Sequence, residues 1–249
     1  MFRALGKMAD KAAACGGSRA FSGGARRQFE ELTAGADPAQ LEFMREQIIQ
    51  VDTSDNVVGP ISKKDAHLHD GVLHRAFSVF VFNSRNELLV QQRAAEKITF
   101  PGFWANTCCS HPMFVQAEME HGVGVKRAAI RKLEHELGIP TTTFAPSDLR
   151  YITSVLYKAA SDANWTEYEL DHILLARGDV ELSVNANEVE RTEFLSLEDL
   201  PAFVADQRHQ ISPWFRLIAQ DLLPKWWRNL DELLATPSDA PPKIHDYRD

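Results

Sequence analysis

This chain of 249 residues has few cysteines, no long apolar run and no excess of positive charge. Its three cysteines are Cys15 and the adjacent pair Cys108 and Cys109, and neighbours in a chain are badly placed to bridge each other. A disulfide framework is therefore excluded, and a reducing compartment fits best. No apolar run approaches the roughly eighteen residues of a membrane helix, which argues against a spanning protein. The net charge of −8 makes nucleic acid a poor partner.

The first 27 residues differ from the rest in charge. They carry six basic residues and a single acid, Asp10, and they are rich in alanine, glycine and serine. This composition is typical of an organellar transit peptide and predicts a plastid or a mitochondrion as the location. The alternative is a disordered tail on a cytoplasmic protein. We expect residues 1–30 to be this leader or tail, 40–235 to be one folded domain, and 236–249 to be loose.

The middle of the chain alternates short apolar runs with turn residues, which predicts a mixed α/β domain. Three pairs of runs have the pattern of hairpins: 48–51 with 57–58, 76–82 with 88–92, and 150–158 with 169–176. A helix is predicted over 126–137, because its apolar residues have helical spacing and Gly138 stands at its end. From Ser196 onward the apolar residues again form a helical stripe.

Three histidines and two acids suggest a metal site. His67, His74 and His111 fall at or near strand ends, and Glu167 and Glu169 are two positions apart on one predicted strand. Both carboxylates therefore face the same side of that strand. Three imidazoles and two carboxylates suit a divalent cation such as Mg²⁺, Mn²⁺ or Zn²⁺. A single histidine is more often a surface or core residue, so the grouping carries this prediction.

Residues 100–112, FPGFWANTCCSHP, place Cys109 two positions before His111 and so put a thiol next to a predicted metal ligand. The alternative is that Cys108 and Cys109 are both buried structural cysteines. Together with WTEYE at 165–169 and RKLEHELGI at 131–139, this segment resembles the type 1 isopentenyl-diphosphate isomerases of the Nudix superfamily. The resemblance runs from about Val51 to about Asp231. It includes LHRAF at 73–77, QQR at 91–93, KITFPG at 97–102 and ISPWF at 211–215.

The helix motif departs from that of the Nudix hydrolases, whose box is G-x5-E-x7-R-E-U-x-E-E-x-G-U. Aligned on Arg131, this chain has Val123, Lys132 and His135 in place of three acids, and only Glu136 survives. This argues against a hydrolase that needs several carboxylates around its metals, and it agrees with the isomerase family, whose box is similarly degraded. The resemblance implies that Glu136 binds Mg²⁺ together with the substrate diphosphate. An ordinary ion pair with Lys132 is the alternative.

The activity implied by the resemblance is the interconversion of isopentenyl and dimethylallyl diphosphate through a tertiary carbocation. One proton is added and another removed, which requires two acid/base groups in a dry pocket and no redox cofactor. The family's cysteine and glutamate match Cys109 and Glu169, while Cys108 is expected to pack in the core. Tyr157 matches the partner of the glutamate, and Trp214 matches the tryptophan that stabilises the cation.

The resemblance also implies the ligands and the fold. The residues that match diphosphate contacts are Lys63, Arg93, Lys97, Lys132 and the backbone near Ser110. Some members have an arginine at the position of Lys132. Lysine keeps the positive charge but cannot form the two parallel hydrogen bonds of a guanidinium group. A second divalent ion is expected at His67, His74, His111, Glu167 and Glu169. The expected fold class is α/β (α+β): a Nudix-like mixed sheet flanked by helices, with added N-terminal strands and a C-terminal helical segment.

Two other classes stay open. A Nudix pyrophosphohydrolase would share the fold and the metal, but it would need the missing acids. A non-catalytic binding module would have no reason to keep Cys109, Glu169 and the ligand-like residues together. Also open are which of Cys109 and Glu169 protonates the alkene, whether the protein is a monomer or a homodimer, and the organelle. Plant and algal members of the family feed carotenoid synthesis in plastids such as the chloroplast.

Overall fold

A computed structural model of the protein describes residues 29–236 and 243–248. The described residues fall into two units that divide between Gly35 and Ala36. Within the first unit, residues 29–32 are helical, and the Thr33 hydroxyl donates a hydrogen bond of 2.7 Å to the Phe29 carbonyl. The predicted leader, residues 1–27, lies outside the described residues.

One mixed sheet organises the second unit. The strand β3 lies at its centre, parallel to β8 along one edge and paired with β1, β4 and β6 along the other. The predicted hairpins are confirmed as β1–β2 and β7–β8, whereas β3 and β4 pair only next to their turn, at Phe82 and Leu88. The described residues contribute ten strands: β1 (Gln47–Val51), β2 (Val57–Ser62), β3 (His74–Phe82), β4 (Leu88–Arg93), β5 (Trp104–Ala105), β6 (Cys108–Ser110), β7 (Arg150–Ala160), β8 (Thr166–Arg177), β9 (Val189–Leu195) and β10 (Ile244–Asp246).

Helices pack on both faces of this sheet. They are α1 (Pro38–Phe43), α2 (Lys63–His67), α3 (Gln116–Met119), α4 (Gly124–Leu137), α5 (Leu200–Ala205), α6 (Pro213–Asp221), α7 (Leu223–Arg228) and α8 (Leu230–Ala235). One core joins α4 to Val79 and Leu174, and a second joins the C-terminal helices to Phe80 and Ile173. A third, smaller cluster contains Ile49, Leu156 and Leu170. Because both faces are covered, every residue of β3 except Arg75 is buried, and the strand has an almost continuous apolar sequence.

The helix predicted over 126–137 is confirmed as α4, which begins two residues earlier at Gly124. Its end depends on Gly138, whose φ of 67° lies in the left-handed region and whose N–H bonds the Glu134 carbonyl. A Cβ at this position would lie 2.4 Å from the Ser183 carbonyl oxygen, so glycine is required for space as well as for conformation. This stop fixes where the last turn of α4, with Glu136, meets the sheet.

The C-terminal helical segment is confirmed, but as four short helices. Pro201, Pro213 and Pro224 stand in the first turn of α5, α6 and α7. Proline has no N–H to donate and therefore starts helices rather than continuing them. None of the helices in the described residues is both long and apolar enough to cross a bilayer.

Part of the stretch predicted to be loose is a strand. Ile244–Asp246 form β10, which pairs in parallel with Ser154, Val155 and Leu156 of β7, while residues 237–242 and 249 lie outside the described residues. Edge-strand pairing satisfies backbone groups and leaves little apolar pattern in so short a segment, and for this reason the composition of 236–249 did not predict it.

Candidate active site

Strand register assembles the candidate site. In the β3–β8 pair, His74 lies opposite Glu169, and Glu167 lies two residues earlier on the same face of β8. In the β3–β6 pair, Cys109 lies opposite Ser78, and His111 follows directly after β6. His67 enters from the last turn of α2. Side chains from α2, β3, β6 and β8 thus converge at one place near the central strand of the sheet.

The five residues predicted to bind a metal lie together. His67, His74, His111, Glu167 and Glu169 each offer one ligand atom, and these atoms all lie within 4.8 Å of one another. All five side chains are buried. Nε2 of His67 is 2.7 Å from Oε2 of Glu167, and Nε2 of His111 is 2.8 Å from Oε1 of Glu169. This buried cluster could hold a divalent cation.

The surroundings of the histidines fit that role. Nδ1 of His67 donates to the Lys63 carbonyl and Nδ1 of His74 to the Val72 carbonyl, each at 2.7 Å. Each ring therefore directs the lone pair of Nε2 toward the cluster, the arrangement usual for metal-binding histidines. Because Nδ1 carries the hydrogen in each ring, Nε2 of His67 has none to give to Oε2 of Glu167, 2.7 Å away, and among the described residues these atoms and Nε2 of His74 form no hydrogen bond. Buried polar atoms of this kind call for a ligand.

The ionised carboxylates of the cluster favour cation binding. Against the effect of burial, however, the neighbouring Glu167 raises the pKa of His67. Burial lowers the pKa of His111 well below its usual value, and the neighbouring His74 and His67 act in the same direction. Burial would raise the pKa of Glu169, but the neighbouring His74 and the hydrogen bond from Tyr157 outweigh it and lower this pKa to about 2. Burial also acts to raise the pKa of Glu167, but the neighbouring His67 outweighs this effect, so the pKa of Glu167 is lowered. The carboxylates are therefore ionised at neutral pH, as a metal requires.

The central pocket lies beside this cluster. The sequence-predicted residues in its wall are Lys63, Arg93, Lys97, Cys109, Ser110, His111, Tyr157, Glu167, Glu169 and Trp214. Burial raises the pKa of the Cys109 thiol to about 12, although Arg93, with Nη1 3.7 Å from Sγ, acts in the opposite direction. Cys108 is fully buried in the core under α4, so the expectation that it packs is confirmed. The two cysteines lie on opposite faces of β6.

Two aromatic side chains complete the pocket wall. The Tyr157 hydroxyl donates a 2.5 Å hydrogen bond to Oε2 of Glu169. Trp214 is 3% exposed, and its indole N–H donates to Oδ1 of Asn106 at 3.1 Å. The Arg93 guanidinium lies 5.6 Å from the centre of the Trp214 ring. The indole is thus fixed in orientation at one wall of the pocket.

Four of the five predicted diphosphate contacts line this pocket: Lys63, Arg93, Lys97 and Ser110. Lys132 is not among the lining residues, and its Nζ lies 3.3 Å from Oε1 of Glu136. The ion pair between Lys132 and Glu136 named as an alternative is therefore present. Gln91 also donates to Glu136, at 3.0 Å. Lys132 occupies one of the positions where the hydrolase box has an acid, so a cation stands there in place of a carboxylate.

Four buried polar residues of the site were missed from the sequence. Glu188 pairs with Lys97, Gln40 donates to Glu188, Gln91 contacts Glu136, and Asn106 fixes Trp214. Asn106 and Gln91 stand inside the motifs FPGFWANTCCSHP and QQR, which is a signal that could have found them. Nothing in the sequence pattern near Gln40 or Glu188 indicates a site.

The NUDIX domain family matches residues 72–215. Among solved structures, DR0079 from Deinococcus radiodurans shares the fold, with a TM-score of 0.53 at 19% sequence identity, over 70% of this chain and 98% of that chain. The fold and the site together define a protein of the NUDIX class.

Two relatives narrow the class. The chain is 47% identical to isopentenyl-diphosphate delta-isomerase IDI1 of Gibberella zeae over 207 residues, covering 80% of this chain and 82% of the relative. It is 44% identical to isopentenyl-diphosphate delta-isomerase 1 of Bos taurus over 213 residues, covering 82% of this chain and 94% of the relative. The chain belongs to the isopentenyl-diphosphate delta-isomerase family.

We expect the His/Glu cluster to bind one Mn²⁺ ion, chosen as a probe, in the metal-stripped protein. His67→Ala and His111→Ala should each weaken this binding tenfold or more, because each removes a ligand from a site with few substitutes. Isothermal titration calorimetry measures the affinity. His69→Asn serves as the control, since His69 is exposed, outside the cluster, and at a positive φ that asparagine tolerates. Equal affinities in all variants would contradict the assignment.

Binding of inorganic pyrophosphate should weaken above about pH 8 because of Lys63. Burial and the neighbouring Lys97 and Lys132 lower the pKa of Lys63 to about 8, so its ammonium is charged below that pH and neutral above it. In Lys63→Arg the side chain stays charged. The protonation of pyrophosphate itself is the same with the wild-type protein and with Lys63→Arg. The difference between their affinity profiles from pH 6.5 to 9.5 therefore reports the titration of Lys63 alone. Parallel profiles would show that Lys63 does not contact the anion.

Proposed function

We propose that this protein interconverts isopentenyl diphosphate and dimethylallyl diphosphate in isoprenoid biosynthesis, by protonation and deprotonation through a tertiary carbocation. The names of its relatives support this substrate. The observation that carries the mechanism is that Cys109 and Glu169 line one pocket. Burial raises the pKa of Cys109 to about 12, while the pKa of Glu169 is near 2 despite its burial, because of His74. The pair therefore holds a single transferable proton.

One transferable proton suits a reaction that consumes one proton and releases another. When one member of the pair gives a proton to the alkene, the other takes a proton from the neighbouring carbon, and the pair ends with the same total. Tyr157 donates to Glu169 at 2.5 Å and can steady the carboxylate or relay its proton. Burial and the negative charge of Glu169 raise the pKa of Tyr157 well above its usual value, so its hydroxyl keeps its proton.

The carbocation requires shelter from water and a source of negative electrostatic potential. The Trp214 indole is fixed through Asn106, and the edge of the Phe100 ring packs against it, with centroids 5.4 Å apart. An aromatic face attracts a desolvated cation by about 2 kcal/mol. Because this attraction exists only while the charge is present, it accelerates the reaction instead of tightening substrate binding. Trp214 is the residue we assign to this role.

The His/Glu cluster is the place for a divalent cation, Mg²⁺, Mn²⁺ or Zn²⁺. When bound, this ion supplies positive charge next to Glu169, which keeps the carboxylate ionised and makes the group a stronger acid whenever it carries the proton. We assign Glu136 to a Mg²⁺ ion that also binds the substrate diphosphate. Its Oε1 atom is buried, faces Lys132 at 3.3 Å and forms no hydrogen bond within the described residues, which supports this role. Lys63, Arg93, Lys97 and the backbone near Ser110 contact the diphosphate from the pocket wall, and Lys132, outside that wall, adds positive charge to the same site.

The hydrolase alternative is weakened by the helix α4. Lys132 and His135 stand at positions where hydrolases carry acids, and Nζ of Lys132 donates to Nδ1 of His135 at 3.0 Å. Cationic and neutral groups there cannot gather several Mg²⁺ ions. The binding-module alternative does not explain why a neutral thiol, Cys109, and an ionised carboxylate, Glu169, line the same pocket.

The basic leader supports import into a plastid or a mitochondrion, and a cytoplasmic location is the alternative. In a chloroplast the product would feed carotenoid synthesis. The protein acts as a monomer or a homodimer, and either state suits the site, because one chain supplies all the side chains assigned to the reaction.

Incubation with isopentenyl diphosphate and Mg²⁺ in deuterated water should yield dimethylallyl diphosphate that carries deuterium, detected by NMR. Cys109→Ala and Glu169→Gln should each abolish this conversion, because each removes one of two proton carriers. Both variants should keep the circular dichroism spectrum and the melting profile of a folded protein. Substantial turnover by either variant would refute its assigned role.

Cys108→Ala is the matched control for Cys109→Ala. It makes the same substitution one residue earlier, in the core under α4, so it should lower stability by about 1 kcal/mol and leave turnover intact. Release of inorganic phosphate and isopentenyl monophosphate by the wild-type protein would instead establish a hydrolase.

Trp214→Phe should retain part of the rate, and Trp214→Ala should lose about thirtyfold or more, since only the phenyl ring keeps an aromatic face toward the cation. Steady-state kinetics gives kcat for both variants. Trp227→Phe is the control, because Trp227 is also buried but packs on Phe82, away from the pocket. Equal kcat values for Trp214→Phe and Trp214→Ala would exclude stabilisation by the ring.

A further inference from the structure

Glu188 is a buried acid next to the diphosphate contacts of the pocket. It is 2% exposed and directly precedes β9. Its Oε2 atom accepts a hydrogen bond from the Lys97 ammonium, and its Oε1 atom accepts one of 3.0 Å from the Gln40 amide. Both carboxylate oxygens are therefore occupied by donors that belong to other elements.

The backbone of Glu188 is also tied to the site. Its carbonyl oxygen accepts from the Ala94 N–H at 3.0 Å, and the next residue, Val189, pairs with Arg93. Gln40 further donates to Oδ1 of Asn187 at 2.7 Å, so α1 holds the segment from its other side. The position of the Glu188 carboxylate is thus set by the same strand that carries Arg93.

Lysines balance the negative charge of this carboxylate, and Lys97 forms an ion pair with it. Burial opposes ionisation of Glu188, but the charges of Lys97 and Lys132 hold its pKa far below the usual range, and Lys63 acts in the same direction. Like charges packed in a buried site repel strongly, so a cationic cluster of this kind needs an internal anion while it is empty.

We infer that Glu188 is a positioning residue of the diphosphate site: its buried carboxylate orients Lys97 and offsets the repulsion among Lys63, Lys97 and Lys132. This inference rests on the isomerase function proposed above, in which these lysines lie at the diphosphate site. Glu188 takes no part in proton transfer, because its oxygens are engaged by Lys97 and Gln40. Its loss should therefore be felt in binding, and hardly in the chemical step.

Glu188→Gln tests the inference, because it keeps the shape of the side chain but removes the charge and leaves one acceptor oxygen for two donors. We expect KM for isopentenyl diphosphate to rise about tenfold, as for the loss of one charge-assisted hydrogen bond, with kcat changed less than about threefold. The affinity for inorganic pyrophosphate in the presence of Mg²⁺, measured by calorimetry on the full-length chain, should fall by the same factor. Glu188→Asp, which keeps the charge, should recover part of the affinity.

Glu190→Gln is the matched control, since it makes the same change two residues later at an exposed position of β9 and should leave KM and kcat unaltered. A lower KM in Glu188→Gln would mean that the carboxylate competes with the diphosphate, and this would overturn the inference. A loss of kcat at constant KM would also overturn the inference. The same holds if the Gln and Asp variants lose thermal stability equally while the folded protein keeps its affinity for pyrophosphate. A wild-type protein inactive on isopentenyl diphosphate would refute the proposed function, whereas the pyrophosphate titrations would still test Glu188.

Discussion

The parallel pairing of β3 with β8 is the constraint on which the site depends. It runs from the pair His74 and Glu169 to the pair Phe82 and Arg177, and both strands are buried. A shift of one residue would turn Glu167 and Glu169 to the opposite face of β8, where Leu170 packs against Leu156, and would put a neighbour such as Tyr168 in the place of an acid. Burial of the apolar residues that alternate with these acids fixes the strand register. The same register is therefore required for core packing and for the geometry of the site.

The site concentrates charge in a place from which water is largely excluded, and each charge has an arranged partner. Glu169 is met by His74, His111 and Tyr157. Lys97 is met by Glu188, and Lys132 by Glu136. Burying such groups costs stability, because desolvation can exceed the attraction between partners. The two apolar cores on either face of the sheet supply the stability that this arrangement requires.

Local signals in the sequence predicted the elements that local physics determines. The hairpins β1–β2 and β7–β8 and the stop of α4 at Gly138 follow from turn chemistry and side-chain spacing. The two-residue spacing of Glu167 and Glu169 predicted a shared face, and the motif around Cys109 and His111 linked that face to a family. Glu188 and Gln40 escaped because their roles depend on contacts across more than a hundred residues. The strand β10 escaped because backbone pairing alone leaves no side-chain pattern.

The neighbouring thiols of β6 differ in chemical durability as well as in role. Oxidation of cysteine proceeds through the thiolate, so a thiol that stays protonated is slow to form sulfenic acid. Burial raises the pKa of Cys109 to about 12 and that of Cys108 well above its usual value. The environment that keeps a proton available on Cys109 therefore also protects its sulfur from peroxide. An enzyme built in this way keeps its reactive cysteine in the reduced form that proton transfer requires.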